Sequence, residues 1–248
     1  MKAKQQYHQH WCIDSQVITA LITAAEIQKN DVILEIGPGQ GILTQELAKT
    51  CKKVIAVEID LDLKKIITLP KNVELIFGNA LDILQERDDF TKIISNLPYQ
   101  LAEPLFQYLC VHPKLSVLTL PKKFSQLAQT HPIFSAFLNV ELVQDVLRES
   151  FDPPPKVQSV IVRVTKNTQD TDDLFIRRKL YLQRGKKLKN GLRDTLIDYA
   201  KRKGKSLTKK KAEELIFAMK LEGKWLDYLI KVMPVQLYTQ IAQQCVSL

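Results

Sequence analysis

Cysteine is scarce and scattered. Cys12, Cys51, Cys110 and Cys245 lie far apart and form no C-x-x-C pair, which argues against a zinc site or a disulfide framework and for a reducing compartment. Long apolar runs are missing as well. No stretch reaches the roughly 18 residues of a membrane span, and the polar Met1–His10 segment lacks the apolar centre of a secretory signal. Internal repeats and low-complexity tracts are also missing. These absences predict a soluble, cytoplasmic protein with no bound metal and no membrane partner. The chain has 248 residues, 45% hydrophobic and 25% charged, enough for one large core and a smaller one beside it.

The charge is unevenly placed. Residues 1–166 carry 18 basic and 18 acidic side chains, whereas residues 167–248 carry 18 basic and 9 acidic. The net charge of +9 therefore resides in the last third. Within 177–211, 15 basic residues face only Asp194 and Asp198. A neutral core followed by a basic module suggests a polyanion partner for the C-terminal part.

Apolar, β-rich runs recur at 32–36, 54–58, 73–77, 92–96 and 115–120, with helix-like segments at 42–49, 61–67 and 101–109 between them. Strand–helix alternation at this spacing predicts an α/β fold, a mostly parallel sheet with helices on both faces. Two more strands, near 136–147 and 159–165, follow without an obvious helix. The stiff Asp152-Pro153-Pro154-Pro155 turn joins them, so they read as an antiparallel pair at one sheet edge. A helix over 15–26 is expected to cover the glycine turn after the first strand. Residues 167–173 are polar and read as a linker. Short amphipathic helices are predicted at 174–182, 188–200, 208–219 and 225–232. The division is thus 1–166, a catalytic domain, and 174–248, a basic helical domain.

Chemistry-bearing residues fall at successive strand ends, where an α/β sheet places its ligands. Gly37, Gly39 and Gly41 form a turn that lets backbone approach a ligand closely. Glu58 ends the second strand, where a carboxylate accepts bonds from ribose hydroxyls. Asn79 follows the third, within reach of an adenine edge. Asn96-Leu97-Pro98-Tyr99 closes the fourth. There an amide oxygen, a free carbonyl and a flat ring can hold the amino group of a planar base. A nucleotide-like cofactor facing an amine acceptor is the layout of an N-methyltransferase.

The chain also resembles the ribosomal RNA adenine N6-dimethyltransferase family, the small-subunit rRNA dimethyladenosine transferases. Leu34–Thr44 is close to that family's cofactor loop, and Gln9-His10-Trp11-Cys12 stands in the place of its Gln-His-Phe-Leu element. Phe151-x-Pro153-Pro154-Pro155-Lys156-Val157-x-Ser159 resembles its Phe-x-Pro-x-Pro-x-Val-x-Ser signature. Arg184-Gly185-Lys186-Lys187-Leu188-Lys189-Asn190 is similar to its Arg-Arg-Lys-x-Leu-x-Asn stretch. The resemblance implies a Rossmann-like, seven-stranded class I methyltransferase sheet with a small all-α C-terminal domain.

It further implies S-adenosyl-L-methionine held by His10, the Cys12 backbone, Gly37, Gly39, Glu58, Asn79 and Asn96. Asn96 and Pro98 would accept the hydrogens of an adenine N6, and Tyr99 would stack on the flipped base with Phe151 on its other face. Arg184, Lys186, Lys187 and Lys189 would hold RNA. The implied reaction is dimethylation of two adjacent adenosines near the 3′ end of small-subunit rRNA, by a monomer acting on a pre-30S-type particle during ribosome biogenesis. Alternatives are a large-subunit rRNA methyltransferase and a non-catalytic assembly factor. A DNA adenine methyltransferase is disfavoured, because those enzymes often carry Asp-Pro-Pro-Tyr or Asn-Pro-Pro-Tyr where this chain has Leu97 after Asn96.

The chain departs from the family pattern at several places. His8 replaces a glycine, Trp11 and Cys12 replace Phe and Leu, and Asn79 replaces an acid. Leu120-Pro121-Lys122-Lys123 replaces the usual Gln-Lys-Glu, and much of the loop that follows is missing.

Overall fold

The computed structural model describes residues 10–65, 67–219, 221 and 223–247. His8, Gln9 and the rest of the leading segment lie outside them, as does Ile66 within the predicted 61–67 helix.

The first compact unit comprises residues 10–129 and 138–166. Its chain order is β1 (Trp11–Cys12), α1 (Ser15–Ala25), β2 (Val32–Ile36), α2 (Ile42–Thr50), β3 (Lys53–Glu58), β4 (Val73–Phe77), α3 (Ala80–Glu86) and β5 (Lys92–Asn96). Then come α4 (Ala102–Val111), β6 (Leu115–Pro121), α5 (Lys122–Thr130), β7 (Leu138–Val146), β8 (Phe151–Asp152) and β9 (Ser159–Lys166). Seven strands form one sheet in the order β4-β3-β2-β5-β6-β9-β7, and β1 pairs separately with β8. Strands β2 to β6 are mutually parallel, whereas β9 runs antiparallel to both β6 and β7. The class I methyltransferase sheet and its antiparallel edge are therefore present.

The central strands read as continuous apolar runs because both of their faces are covered. Ile33, Leu34, Val54, Ile55, Ile93 and Ile94 are all essentially inaccessible to solvent. Helix α1 buries Val17, Ile18, Leu21 and Ala25 on one stripe, and Asp14 caps it by accepting from the Gln16 amide at 2.9 Å. The β7 strand begins two residues later than the pattern predicts and carries a register shift between Leu142 and Gln144. Residues 61–65 form a 3₁₀ turn instead of a helix.

Strand order reverses between β2 and β5, and only Ile33↔Lys92 and Leu34↔Ile93 are paired there. The two strands separate toward their C-terminal ends. Their N-terminal ends are clamped by a Lys92–Asp31 ion pair at 2.8 Å and by Thr91 Oγ1 donating to Asp31 at 2.8 Å. A crevice at such a switch point is where open α/β sheets bind ligands.

The second unit comprises residues 130–137 and 167–247. It contains α6 (Phe134–Phe137), α7 (Asp172–Leu182), α8 (Leu188–Arg202), α9 (Lys209–Ala218), α10 (Gly223–Leu226) and α11 (Gln236–Val246). The sequence boundary assigns 130–137 to the first domain, yet in the structure this segment packs with the helices. Arg177 donates to the Pro132 carbonyl at 2.7 Å and Arg178 to the Ala136 carbonyl at 2.6 Å. These two arginines of the basic run are thus occupied internally. The single helix expected over 225–232 is instead a short α10 and a 3₁₀ turn at Ile230–Val232. Gly191 lets α8 approach that turn, since a Cβ there would lie 2.4 Å from Ile230 Cδ1. No helix among the described residues is long and apolar enough to cross a membrane.

Candidate functional site: a cavity at the switch point

A cavity opens at the C-terminal ends of β2, β3 and β5, and its lining includes His10, Gly37, Glu58, Asn79 and Asn96. The glycine turn follows β2 because its backbone enters the left-handed region, with φ of +71° at Gly37 and +57° at Gly39. Space demands glycine as well. A Cβ on Gly37 would stand 3.2 Å from Pro98 Cγ, and one on Gly39 would stand 2.9 Å from Trp11 Cδ1.

Glu58 is 4% exposed and accepts three backbone N–H groups: Ile59 and Asp60 at 2.9 Å on Oε1, and Gly39 at 3.2 Å on Oε2. Burial raises its pKa despite those donors. Glu58 lines the same cavity. Asn79 is exposed and its Oδ1 caps α3 by accepting from Leu81 at 3.0 Å. The oxygen expected to meet an adenine amino group is therefore already engaged once, while the amide N–H₂ is turned outward from the cap.

The Asn96 side chain sits at the tip of β5 and donates from Nδ2 to the His10 carbonyl at 2.9 Å. A carbonyl can only accept, so this bond fixes which way the amide faces and leaves Oδ1 as the acceptor. Beyond it, the Pro98 carbonyl accepts from the Leu101 amide at 2.8 Å as the chain turns into a 3₁₀ segment at Tyr99–Leu101. One of its two lone pairs is thus committed to the turn. Tyr99 shares a hydrogen bond with the Ser159 hydroxyl, and burial raises its phenol pKa. The Tyr99 ring lies 5.9 Å from that of His10 at an interplanar angle of 28°. His10 is itself held by Nδ1 donating to the Pro153 carbonyl at 2.7 Å. A base stacking on the His10 side of Tyr99 has to part these rings.

Cys12 is buried against the cavity and its thiol pKa is raised by burial. Phe151 requires a correction. Its backbone pairs with Cys12, but the ring is 1% exposed in the hydrophobic core and does not line the cavity. It is the packing phenylalanine of the β1–β8 ladder, with no face open to a base.

Two cavity residues were assigned no role in the sequence. Glu35, near the end of β2, is 1% exposed, its Oε2 has no hydrogen-bond partner, and its pKa is pushed up to about 8. Loss of water is the main cause, the nearby Thr44 hydroxyl offsets only part of it, and the negative field of Glu58 adds to it. The available signal was a single acid inside Val-Ile-Leu-Glu-Ile, an otherwise apolar buried strand. Trp11, 9% exposed, roofs the glycine turn. Two buried carboxyl groups line one cavity. A positively charged occupant would favour the ionised form of each, including Glu35, which is otherwise mostly protonated at neutral pH. No cluster of metal-binding side chains occurs among the described residues.

The basic residues singled out in the helical unit prove to have partners. Lys186 pairs with Asp194 at 2.9 Å, Lys187 and Lys189 both reach Asp227 at 3.5 and 2.9 Å, and the Arg184 guanidinium lies 4.9 Å from the centre of the Tyr181 ring.

Comparison with known proteins adds to this geometry. The profile of the ribosomal RNA adenine dimethylase family matches residues 1–218. A probable ribosomal RNA small subunit methyltransferase A of Methanococcus aeolicus is 35% identical over 77% of this chain and 79% of its own length. Its counterpart in Methanopyrus kandleri is 30% identical over 77% of each chain. Among solved structures, a dimethyladenosine transferase from Plasmodium falciparum superposes with a TM-score of 0.62 at 21% identity, covering 94% of this chain and 96% of that one. The 23S rRNA methyltransferase ErmE gives 0.59 at 18% identity, covering 95% and 99%. At such identities the two structures speak for the fold.

Proposed function

The chain belongs to the ribosomal RNA adenine dimethylase family, and from that premise we propose that it uses S-adenosyl-L-methionine to dimethylate the N6 atoms of two adjacent adenosines near the 3′ end of small-subunit rRNA. We place it as a monomer in the cytoplasm, acting on a pre-30S-type particle in ribosome biogenesis. The observation that carries this reading is the Asn96 amide, which lines the cavity and whose nitrogen is tied to the His10 carbonyl, leaving its oxygen as the acceptor.

The cavity fits a cationic nucleoside cofactor. The unpartnered Glu35 oxygen and the buried Glu58 both gain from positive charge nearby, and the glycine turn leaves room for a ligand against backbone. His10, Cys12, Gly37, Gly39, Glu58, Asn79 and Asn96 would hold it, with Glu58 offering its free lone pair to ribose. When bound, the cofactor supplies an electrophilic methyl group.

Adenine N6 is a poor nucleophile because its lone pair is delocalised into the ring. In the first transfer Asn96 Oδ1 accepts one N6 hydrogen and the Pro98 carbonyl the other, drawing the nitrogen toward a tetrahedral shape and localising that pair. The Pro98 oxygen has one lone pair left for this after its bond to Leu101. In the second transfer the monomethylated nitrogen has one hydrogen left for one of these acceptors. Each transfer releases one N6 proton to solvent. No side chain needs to act as a base, because positioning and preorganised dipoles carry the rate. Tyr99 stacks on the flipped base, worth about 1–3 kcal/mol.

Asn96→Ala tests the reading. Methyl transfer from labelled cofactor to small-subunit particles should fall about a hundredfold or more, the scale of losing one preorganised dipole, while the thermal melt stays in place. Mass spectrometry of the rRNA nucleosides then reports whether dimethyladenosine is the product. Unchanged turnover in the variant, or a product other than N6-methylated adenosine, would overturn it.

A further inference from the structure

Among the described residues of the helical unit, the densest group of basic side chains without an acidic partner lies in the turn between α8 and α9, away from the stretch at 184–189 that resembles the family motif. Residues 200–211 hold seven basic side chains and no acidic one. Arg202 and Lys203 are drawn back to Asp170 and Asp172, and Lys211 to Glu214. That leaves Lys201, Lys205, Lys209 and Lys210, all exposed and none with an acidic partner among the described residues. The acids of α9 cannot supply one locally: Glu214 holds Lys211, and Glu213 holds Arg193 at 3.4 Å.

The placement of these lysines is costly for the protein alone. Lys209 and Lys210 occupy the first turn of α9, where the helix dipole already presents its positive end. Like charges gathered there are relieved by an external anion. Two turns along the same helix, Phe217 stands 86% exposed. Its spacing of seven residues from Lys210 puts both on one face. A bare aromatic ring beside free lysines is the pairing that single-stranded nucleic acid uses, phosphates on the cations and a base on the ring. A duplex keeps its bases stacked inside and offers the ring nothing.

We propose that the α8–α9 turn, through Lys201, Lys205, Lys209, Lys210 and Phe217, is a docking surface for a single-stranded segment of RNA. The inference rests on the proposed action on rRNA and locates the contact. Lys186, Lys187 and Lys189 contribute less, because phosphate must first displace Asp194 or Asp227 from them.

The test uses the full-length protein and a short single-stranded RNA, with a duplex of equal length as control, followed by fluorescence anisotropy across a salt series. Replacing the four lysines together (K201Q, K205Q, K209Q, K210Q) should lower the slope of log affinity against log salt by up to about 2.8, roughly 0.7 per lost phosphate contact. The triple K186Q, K187Q, K189Q should lower it by less. Phe217→Ala should weaken single-strand binding about 5- to 150-fold without changing the slope, and leave duplex binding unmoved. Since the ring is exposed, this variant keeps its melting temperature. An unchanged slope in the quadruple variant, a larger drop in the triple variant, or a Phe217→Ala protein that binds single strands normally would each overturn the proposal. In the latter cases Phe217 and the turn would belong to some other contact, such as a protein partner. Cofactor binding by calorimetry, measured on the same samples, separates the outcomes. If it is retained while the RNA results fail, only the docking surface is wrong; if the unaltered protein binds no cofactor, the reading beneath it fails.

Discussion

The two units handle charge in opposite ways. In the sheet unit a few acids are taken out of water at fixed positions around one cavity, and their proton affinities move: Glu35 rises to about 8 and Glu58 rises as well. In the helical unit charges are many, lie at the surface and largely pair with one another, as Lys186, Lys187, Lys189, Arg202 and Lys203 do. A buried unpaired charge is expensive and therefore informative about a ligand, whereas a surface cation is cheap until its partners are counted. The count of basic residues overstated the anion-binding surface, and the strand pattern understated the electrostatics of the cavity.

The strongest way to break this contrast is Glu35→Gln. An unfolded chain holds this carboxyl near 4.5 and the folded one near 8, so the folded state is favoured while the group is protonated in both. Stability is therefore fully present below about pH 4.5 and declines as pH rises, with the loss complete above about 8. The difference amounts to roughly 4–5 kcal/mol in the cofactor-free protein. The glutamine variant should melt higher than the native protein at pH 8 and nearly level with it at pH 4.5. Cofactor affinity should move the other way. In the native protein a cationic ligand favours the carboxylate and binds more tightly as pH rises toward 8; in the variant this dependence should flatten. A Glu35→Gln protein no more stable at pH 8 than the native one would show that the carboxylate is solvated and the two units are alike after all.

Gly39→Ala should have a smaller effect. It forces a side chain into φ of +57° and against Trp11, costing about 1–3 kcal/mol. Because Trp11 roofs the glycine turn, cofactor affinity should fall with stability. Adding Trp11→Leu to Gly39→Ala should recover part of both losses, seen as a positive coupling in a double-mutant cycle. Strictly additive losses would mean that Trp11 and the glycine turn do not share the cavity wall.

Much of the sheet was legible because its strands are buried on both faces, so Val32–Ile36 and Lys92–Asn96 stand out as apolar runs with polar residues at their ends. Asn96, Glu58 and the glycine turn were legible for the same reason: strand ends at a switch point converge. Less could be seen where tertiary context decides. The two-residue ladder of β1 with β8 is too short to show a period. Helix α11 went unread although its buried Tyr238, Ile241, Ala242 and Cys245 follow a helical spacing, and Phe151 looked like a candidate platform until its neighbours showed it to be core. Segment 130–137 joins the helices through Arg177 and Arg178, a pairing across some 45 residues that no local pattern announces. The partners of the lysines were hidden similarly, since Lys189 and Asp227 are 38 residues apart.

Asp227 offers the finest adjustment of the contrast. It is an exposed acid whose pKa is lowered by Lys189 first and then Lys187. Removing its charge with Asp227→Asn frees both lysines without disturbing the core, so the melting temperature should barely shift. If these lysines lie within reach of bound RNA, affinity should rise modestly at low salt, and the salt slope should steepen by about 0.7 for each lysine that gains a phosphate. The gain should vanish at high ionic strength, where exposed charges are screened over a few ångströms. A steeper slope would mark Lys187 and Lys189 as held in reserve by an acid. An unaltered slope would mean that they lie off the path of the strand, leaving the α8–α9 turn to carry the charge of the helical unit.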